Sequence, residues 1–584
     1  MTVAFPEDFN LADYWLFDRI QEGKGDKVAI RFGDFAYTYA EVAERSRLLA
    51  RYLAVNGVTP ESRVYIVLSD VPPFAWGIFG TLACGGVITM GNPIAPIEDL
   101  AHTLAYVKAT VLITTPSVAE ALVPHAASVP RLGTILLVPD AATGENSEGE
   151  VFSDAESAAV AGARSGAERR EVVIESFSEL GVDVLSLTEA IEEVRSADAG
   201  VGPNPYQDPL PAIKRDDPAI WLFTSGSTGK SKAAMHSHRD FAFNTEVFAK
   251  RTVGYRESDV CVSVPRLFFG YATGTNLWFP FAVGATVGLF SERPTAESIT
   301  AAIQRYQATV VTNVPTMLGK ILDLDDQLGK TLDLSSVRFH LSAGEALPEA
   351  LQRRFTERFG VDVYDGIGSA EMFHIYCSNR PGDIKPGSLG RVVEGYTLKV
   401  LPEEADGAGA TPLAPNEIGV LWVKGDSVAH GYFQDREKSW KTFHGHWCRT
   451  GDLFHVDEQG YLYFSGRADD LFKVGGIFVA PREVEDCLLA HPAVSVAAVI
   501  PAEDGGLTKP KAVIELRADA KARASTVEDR RALVAELKAH VQGKLTKHKY
   551  PRWVVFVDDL PKNDRGKVDK KLLLEREKRG ELTE

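Results

Sequence analysis

The sequence predicts an α/β protein with a large N-terminal body of stacked α/β subdomains and a small, mobile C-terminal α+β domain. The chain has 584 residues, whereas single hydrophobic cores stop growing at about 250–300 residues, so several structural units are expected. Short apolar strands alternate with amphipathic helices over much of the chain, which is typical of largely parallel sheets. Towards the C-terminus the sequence becomes rich in strands and glycines, which indicates an additional β-rich subdomain.

The first run of alternating elements covers residues 28–140. It contains the strand VAIRF, the helical pattern YAEVAERSRLLARYLAVNG and the strand RVYIVLS. Residues 71–91 carry no charge and are just long enough to cross a bilayer, but they include Pro72, Pro73 and five glycines. We therefore expect a buried helix, a turn and a core strand here, and no insertion into a membrane.

Residues 140–205 differ in composition from the segments on either side. The stretch GENSEGEVFSDAESAAVAGARSGAERRE is rich in Ala, Ser, Gly and Glu, and Phe152 is its one aromatic residue. Such a composition offers little apolar surface for burial. We expect a solvated, partly helical insertion rather than core.

A second α/β run covers residues 219–365, and its strands lead into glycine-rich turns, where α/β folds bind ligands. Residues 386–466 are β-rich. The last unit contains the strands AAVIPA and KAVIEL and one long helix. These features divide the chain into a large domain of residues 1–466 and a small domain of residues 467–584.

Charge and cysteine content exclude several classes of function. The 80 acidic side chains outnumber the 63 basic ones, and the resulting net charge of −17 disfavours binding to nucleic acid or to anionic membranes. The five cysteines show no CxxC or zinc spacing and are expected to be reduced thiols. The N-terminus lacks the basic and apolar regions of a signal peptide, so a cytoplasmic protein is predicted.

A segment rich in glycine and hydroxyl side chains follows the apolar strand AIWLF. It consists of Thr224, Ser225, Gly226, Ser227, Thr228, Gly229, Lys230, Ser231 and Lys232. Backbone N–H groups and hydroxyls in such a loop can surround phosphates, and lysines add positive charge. A Walker P-loop is excluded because its pattern requires glycine at the position of Thr224. Taken alone, the segment is equally typical of a flexible surface turn.

Three further segments follow in the order expected for one enzyme family. They are residues 365–371 (DGIGSAE), residues 449–452 (RTGD) with 466–473 (GRADDLFK), and residues 561–567 (PKNDRGK). Together with the phosphate segment they resemble the adenylate-forming superfamily of acyl-CoA synthetases, adenylation domains and beetle luciferases. The resemblance covers nearly the whole chain and is strongest to benzoate-CoA ligases and similar aryl-CoA ligases, through NLADYWLFDR, LFFGY, LSAGEALP and DGIGSAEMFHIY.

This resemblance implies three residues for catalysis. Lys567 would bridge the carboxylate and the α-phosphate of ATP, Lys232 would add positive charge at the phosphates, and Glu371 would hold Mg²⁺. Two positions depart from the family pattern. Ala370 stands where a threonine usually donates to the α-phosphate, and Ser231 stands where proline is usual. Neither departure removes a charged group, so we expect an active enzyme.

The resemblance also implies a nucleotide site. The residues expected to frame adenine are Gly344, Glu345, Ala346, Asp365, Gly366 and Ile367. Asp452 and Arg467 would bind the ribose hydroxyls. Either Ser369 or the 224–228 segment would compensate for Ala370, or the affinity for the α-phosphate would be reduced.

A change of domain orientation is expected between the two half-reactions. By resemblance, Asp469 is the hinge about which the small domain turns after adenylation. This rotation would withdraw Lys567 and bring Lys473, Gly475 and Gly476 to the site of thioester formation with CoA.

The acid-binding pocket is assigned by the same resemblance. Its expected residues are Phe269, Gly270, Tyr271, Ala272, Leu341, His374 and Ile375. Aromatic and branched walls suit a planar ring. Benzoate-type ligases tend to have alanine where this chain has Gly270, so the missing methyl predicts room for a ring substituent. His374 is expected to be a pocket wall that can hydrogen-bond such a substituent.

The predicted protein is thus an AMP-forming acid:CoA ligase of the benzoate type, with a small aromatic carboxylate, ATP and CoA as substrates and Mg²⁺ as cofactor. It is expected to act as a monomer or homodimer. Two alternatives stay open: an enzyme that loads an aryl or short- to medium-chain acid onto a carrier protein, and a non-catalytic nucleotide-binding regulator. An amino-acid substrate is disfavoured because Phe243 and Asn244 occupy the region where amino-acid activators usually keep an aspartate.

Overall fold

Two largely parallel sheets make up the body of the protein, as the alternation of strands and helices predicts. The computed structural model describes residues 3–140, 144–145, 151–152, 165–200, 204–225, 231–329, 331–467, 472–474, 477–504, 507–561 and 568–582.

The strands are numbered along the chain. They are β1 Val28–Phe32, β2 Phe35–Thr38, β3 Arg63–Val67, β4 Val87–Met90, β5 Val111–Thr114, β6 Thr134–Leu137, β7 Gly144–Glu145, β8 Val151–Phe152, β9 Asp183–Ser186, β10 Pro218–Ser225, β11 Ser231–Ser237, β12 Val260–Ser263, β13 Thr286–Leu289, β14 Val310–Asn313, β15 Phe339–Ser342, β16 Asp362–Gly368, β17 Ile375–Ser378, β18 Arg391–Val392, β19 Thr397–Leu401, β20 Gly419–Lys424, β21 Gly431–Tyr432, β22 Phe443–His444, β23 Trp447–Val456, β24 Leu462–Arg467, β25 Phe472–Val474, β26 Ile477–Val479, β27 Val494–Asp504, β28 Leu507–Leu516 and β29 Trp553–Val557.

The helices are numbered in the same way. They are α1 Asp18–Gln21, α2 Tyr39–Val55, α3 Pro72–Ala83, α4 Ile97–Val107, α5 Pro116–Leu122, α6 Gly166–Ser178, α7 Leu187–Ala199, α8 His238–Asn244, α9 Gly270–Thr273, α10 Phe279–Val283, α11 Ala296–Tyr306, α12 Pro315–Leu328, α13 Glu349–Phe359, α14 Arg436–Thr442, α15 Pro481–Leu489, α16 Ala518–Arg523, α17 Val527–Gln542 and α18 Lys570–Lys578. Wider π-helical segments are Asp13–Phe17, Thr245–Val253 and Gly274–Trp278, and short 3₁₀ turns are Val123–Ser128, Ala370–Met372 and Lys547–Lys549.

The first sheet contains strands β3 to β6 of the N-terminal α/β run, whereas β1 and β2 join the second sheet. Within the described residues it has eight strands in the order β21-β11-β10-β4-β3-β5-β6-β9. Helix α3 is buried along its whole length and β4 is buried as well, which confirms the prediction for residues 71–91. Pro72 and Pro73 fall in the first turn of α3, where the missing N–H groups would have no helical partner. Over the described ranges, no helix is both long enough and apolar enough to cross a membrane.

The expectation of a solvated insertion at 140–205 is wrong for its second half. Strand β9 pairs in parallel with β6, and α6 buries Val173 and Phe177 while α7 buries Ile191 and Val194. These apolar residues recur at helical spacing within a stretch whose average composition is polar. One row of apolar side chains along a helix is enough to pack it against a sheet, because only the helix face that contacts the sheet needs to be apolar.

The second sheet gathers the chain segments that lead to the candidate site. In the described part of the protein it has nine strands in the order β18-β17-β16-β15-β14-β12-β13-β1-β2. Strands β12, β14, β15 and β16 are neighbours and run parallel to one another. Their carboxyl ends therefore meet at one edge, which is where ligands bind in open α/β sheets.

The C-terminal part contains the β-rich sheet and the small α+β unit that the sequence predicts. Strands β19, β20, β23, β22 and β24 form an antiparallel sheet. Beyond it, β27 and β28 pair antiparallel and β29 joins β28 in parallel. Helices α15 and α17 bury Val484, Leu488, Leu537 and Val541 in a separate hydrophobic core with these strands. The fold class is therefore confirmed.

Candidate active site

The predicted phosphate-binding segment joins two paired strands. Strands β10 and β11 are antiparallel, with Thr224 opposite Lys232 and Ser225 opposite Ser231. This register brings the two ends of the segment together. Its intervening predicted residues, Gly226, Ser227, Thr228 and Gly229, lie outside the described residues.

A tyrosine that no sequence motif indicated lies between Lys232 and Glu371. Tyr432 is on β21, which pairs with β11 at Ala234. The Nζ atom of Lys232 is 5.3 Å from the centroid of the Tyr432 ring, and the Tyr432 hydroxyl donates to Oε1 of Glu371 at 2.6 Å. Burial, together with the neighbouring Glu371 carboxylate, raises the pKa of Tyr432, so its hydroxyl keeps its proton. One side chain thus connects a cation and a carboxylate beside the phosphate segment.

Glu371 lies in a turn whose backbone is strained. Phe373, two residues later, has φ +68° and ψ −61°, and the N–H of His374 donates to the carbonyl oxygen of Met372 at 2.9 Å. This is a γ-turn with positive φ at a residue other than glycine, which is a high-energy backbone conformation. The N–H of Ala429 donates to the carbonyl oxygen of Glu371 at 2.8 Å and helps to hold the turn in place.

A buried hydrogen-bond network holds the same turn from behind. The Ser427 hydroxyl donates to the carbonyl oxygen of Met372 at 2.8 Å and is 2.6 Å from the Tyr396 hydroxyl. Asn244 donates from Nδ2 to the Tyr396 hydroxyl and to the carbonyl oxygen of Ile375, both at 2.9 Å. Asn244 is fully buried, and both hydrogen bonds of its Nδ2 are made within the fold.

The two residues expected at the ribose hydroxyls are cross-strand neighbours. Asp452 on β23 lies directly opposite Arg467 on β24. The sequence places them in separate motifs, and only the antiparallel pairing brings their backbones together. An aspartate and an arginine are residue types that can accept from and donate to a pair of hydroxyls, so the backbone pairing fits the predicted role.

The residues expected around adenine lie at the carboxyl ends of β15 and β16. Gly344, which has φ +89°, begins the turn after β15, followed by Glu345 and Ala346. The Glu345 carboxylate accepts from the hydroxyl of Thr316 at 2.7 Å. Asp365 lies on β16 opposite Ser342 of β15 and leads into Gly366 and Ile367.

Asp365 is a buried carboxyl group in this region. Its side chain is 3% exposed, and burial raises its pKa to about 8. Within the described part of the chain, Oδ1 of Asp365 and the Ser369 hydroxyl are buried and have no hydrogen-bond partner. Buried polar atoms of this kind are candidates for contact with a bound molecule or an ordered water.

The structure brings together two of the residues assigned to the acid pocket. The rings of Tyr271 and His374 have centroids 5.4 Å apart, and Nε2 of His374 donates to the carbonyl oxygen of Tyr271 at 3.0 Å. Burial lowers the pKa of His374 to about 3, so the ring is neutral. Among the described residues, Nδ1 of His374 has no partner, which leaves a buried acceptor. Of the other pocket residues, Phe269 precedes α9, Gly270 and Ala272 lie in it, Leu341 is on β15 and Ile375 on β17.

The space beside Gly270 is taken by Leu222. A methyl group on Gly270 would lie 3.1 Å from Cδ2 and 3.2 Å from Cδ1 of Leu222, a residue of β10. The expected room for a substituent is therefore not found on this side of Gly270, because a neighbouring leucine fills it.

A buried aspartate anchors the loop that leads into α9. Oδ1 of Asp70 accepts from the N–H of Leu267 at 2.9 Å, and the guanidinium of Arg266 lies 3.7 Å from Oδ2. Burial raises the pKa of Asp70 to about 6, against the opposing effect of Arg266. Asp70 follows β3 and is 197 residues away from Leu267 in the sequence. No motif indicated this contact.

Comparison with known proteins assigns the family. The sequence model of the AMP-binding enzymes matches residues 17–433, and that of the AMP-binding enzyme C-terminal domain matches residues 483–567. The chain belongs to the AMP-binding enzyme family. The resemblance drawn from the four motifs is thereby confirmed.

This AMP-binding enzyme has relatives similar over almost its whole length. It is 35% identical to the benzoate–CoA ligase of Thauera aromatica over 97% of this chain and 96% of that protein. Among solved structures it is similar to the anthranilate CoA ligase AuaEII in complex with anthranoyl-AMP, with a TM-score of 0.82 and 31% identity over 99% of each chain. It is also similar to a benzoate CoA ligase from Burkholderia xenovorans LB400, with a TM-score of 0.77 and 32% identity over 97% of this chain and 99% of that one.

The donor set around Glu371 fits a magnesium ion held partly by substrate. In the described ranges no three His, Cys, Asp or Glu side chains cluster as metal ligands. Mg²⁺ characteristically binds one or two carboxylates together with phosphate oxygens and water. Glu371, half-buried beside the phosphate segment, is consistent with that mode of binding.

Several predicted residues of this AMP-binding enzyme belong to the hinge, the CoA step and the C-terminal basic segment. Lys567, Asp469, Gly475 and Gly476 lie outside the described residues, and Lys473 is on the exposed face of β25. Their proposed roles therefore stay predictions.

Proposed function

We propose that this AMP-binding enzyme is an AMP-forming aryl-CoA ligase that activates a small aromatic carboxylate with ATP and transfers the acyl group to CoA. The observation that carries the proposal is the contact of Tyr432 with both Lys232 and Glu371. It puts a cation over the ring of one phenol and the carboxylate proposed to bind Mg²⁺ at its hydroxyl, next to the phosphate segment. The near full-length similarity to benzoate–CoA and anthranilate–CoA ligases supports the same activity.

The first half-reaction makes the carboxylate a nucleophile. A carboxylate oxygen forms a bond to the α-phosphorus of ATP, the bond to the β-phosphate bridge breaks, and pyrophosphate leaves. The protein chiefly has to position two anions and neutralise charge that develops on the phosphates. Lys232 and Lys567 would supply that charge, and Glu371 would hold Mg²⁺, which binds phosphate oxygens when present.

The second half-reaction uses the acyl-adenylate as an electrophile. The thiolate of CoA forms a bond to the acyl carbon, and the bond to the phosphate oxygen of AMP breaks. We propose that the small domain turns about Asp469 between the two steps, so that Lys567 leaves and Lys473 approaches with Gly475 and Gly476. A domain rotation of this kind acts by completing the active site first for adenylation and then for thioester formation.

The acid pocket favours a ring with a polar substituent. The neutral His374 presents Nδ1 as a buried acceptor without a partner in the described chain, and a hydroxyl or amino group could donate to it. The adjacent aromatic side chains, Tyr271 and Phe279, supply flat apolar contacts for a ring.

A substrate panel tests the proposal. We expect pyrophosphate release with benzoate and with hydroxy-, amino- and methylbenzoates, and a thioester only when CoA is present. Medium-chain fatty acids should react poorly because a flexible chain leaves the flat aromatic walls partly uncovered. A clear preference for aliphatic acids would contradict the aromatic assignment. Equal or better transfer to a phosphopantetheinyl carrier protein than to CoA would instead support the carrier-loading alternative.

Gly270→Ala should raise the KM for the aromatic acid. The added methyl would press on both Cδ atoms of Leu222. Overpacking of this kind costs about 1–3 kcal/mol, which corresponds to about a 5- to 150-fold loss when it falls on acid binding. The KM for ATP should change little. Adding Leu222→Val to Gly270→Ala should recover most of the loss, because valine lacks the terminal carbons that clash.

Gly319→Ala is the matched control for this substitution. A methyl on Gly319 of α12 would meet no atom within 4 Å, so steady-state kinetics should be unchanged. If Gly270→Ala also left the KM for every benzoate unchanged, Leu222 and Gly270 would not bound the acid pocket.

A further inference from the structure

A buried histidine on β11 contacts the turn that carries Glu371. His236 is 1% exposed, and its Nε2 is 2.6 Å from the carbonyl oxygen of Ala370. A carbonyl oxygen can only accept, so Nε2 must carry the proton and donate it. The two residues are 134 positions apart, and the contact is therefore a product of the fold rather than of local sequence.

Asp240 fixes the orientation of this imidazole ring. Nδ1 of His236 lies 3.2 Å from Oδ2 of Asp240, which is 2% exposed. Asp240 is itself fixed, because it accepts from the N–H of Ser237 at 3.0 Å and from the Ser237 hydroxyl at 2.8 Å at the start of α8. A histidine held by a carboxylate at one nitrogen has a defined direction for the hydrogen bond from the other.

His236 shares a strand face with Lys232. Successive side chains of a strand point to opposite faces, so Lys232, Ala234 and His236 of β11 lie on the same one. From this face Lys232 approaches Tyr432, which bonds Glu371, and His236 reaches the residue preceding Glu371. One strand therefore contacts the Glu371 turn directly through His236 and approaches it through Tyr432 by way of Lys232.

The turn is held at three successive carbonyl groups. The carbonyl of Ala370 accepts from His236. The carbonyl of Glu371 accepts from the N–H of Ala429, and that of Met372 accepts from the hydroxyl of Ser427. Strained backbone such as that at Phe373 persists only where the surrounding contacts hold it.

We propose that His236, oriented by Asp240, is a positioning residue that holds the Ala370 carbonyl and thereby directs the Glu371 carboxylate towards Mg²⁺ and the phosphates of ATP. The inference rests on the proposed function for the role of Glu371, whereas the contact itself can be tested without substrate.

The test compares three variants of the full-length protein. His236→Leu removes the donor and keeps an apolar side chain of similar size. His236→Gln keeps an amide N–H that can donate to the same carbonyl. His238→Leu is the matched control, since His238 is also fully buried but accepts from the N–H of Leu11, away from the Glu371 turn.

Hydrogen–deuterium exchange of the ligand-free proteins is the first measurement. We expect faster exchange of the amides of residues 371–374 in His236→Leu, with restoration in His236→Gln and no local change in His238→Leu. The second measurement is the Mg²⁺ concentration for half-maximal pyrophosphate release at saturating ATP. It should rise about ten- to hundredfold in His236→Leu, as for loss of an outer partner of a metal ligand, while the KM for the aromatic acid stays unchanged.

Two results would overturn the inference: wild-type exchange and wild-type Mg²⁺ dependence in His236→Leu, or equal effects of His236→Leu and His238→Leu. Absence of pyrophosphate release by the wild-type enzyme with every acid would instead overturn the proposed function, and the exchange experiment would still decide whether His236 holds the turn.

Discussion

Lys567→Ala should slow formation of the acyl-adenylate by about 10²–10³-fold while leaving thioester formation from supplied acyl-AMP largely intact. The lysine is proposed to stabilise charge on the α-phosphate in the first half-reaction only. Removing one donor that acts on the transition state costs about 10²–10³-fold in rate. The measurement is pyrophosphate release with an aromatic acid for the first step, and CoA thioester formation from synthetic benzoyl-AMP for the second.

Lys562→Ala provides the control for this experiment. Lys562 belongs to the same basic segment and has no proposed role beyond solvation. It should retain near wild-type rates in both assays. If Lys567→Ala slowed both half-reactions equally, the scheme of two domain orientations would lose its support.

Glu371→Gln should reduce adenylate formation by about 100-fold or more, because a neutral amide is a poor ligand for Mg²⁺ and supplies no charge at the phosphates. Glutamine has nearly the same shape and can still accept from the Tyr432 hydroxyl, so the turn should stay in place. We expect a raised Mg²⁺ requirement for pyrophosphate release, and a smaller effect on thioester formation from supplied acyl-AMP, where no pyrophosphate is bound.

Tyr432→Phe separates the charge of Glu371 from its orientation. This variant removes the hydroxyl that contacts Oε1 but leaves the carboxylate in place. It should lower the rate of adenylate formation about tenfold, less than Glu371→Gln does, because it removes one hydrogen bond to a charged group, and the lower end of the range for such bonds is about 1.5 kcal/mol. A wild-type Mg²⁺ dependence in Glu371→Gln would contradict the assignment of Glu371 as the metal ligand.

The sequence was sufficient for the family and for most of the architecture. The four motifs carry the resemblance because phosphate binding needs small residues, hydroxyls and charges in a fixed order. The helix and strand of residues 71–91 followed from their prolines and uncharged run. The stretch at 166–199 was misjudged because average composition concealed a single apolar stripe on each helix.

What the sequence by itself determined is the family and the residues predicted to carry its chemistry: a phosphate segment, a carboxylate for Mg²⁺, charged residues for ribose and α-phosphate, and aromatic residues for a planar acid. Only the tertiary structure decided how those groups are held. Tyr432 beside Glu371, His236 under Ala370, and Leu222 against Gly270 are contacts between distant segments. No local pattern encodes them, because each depends on which strands pair and in what register.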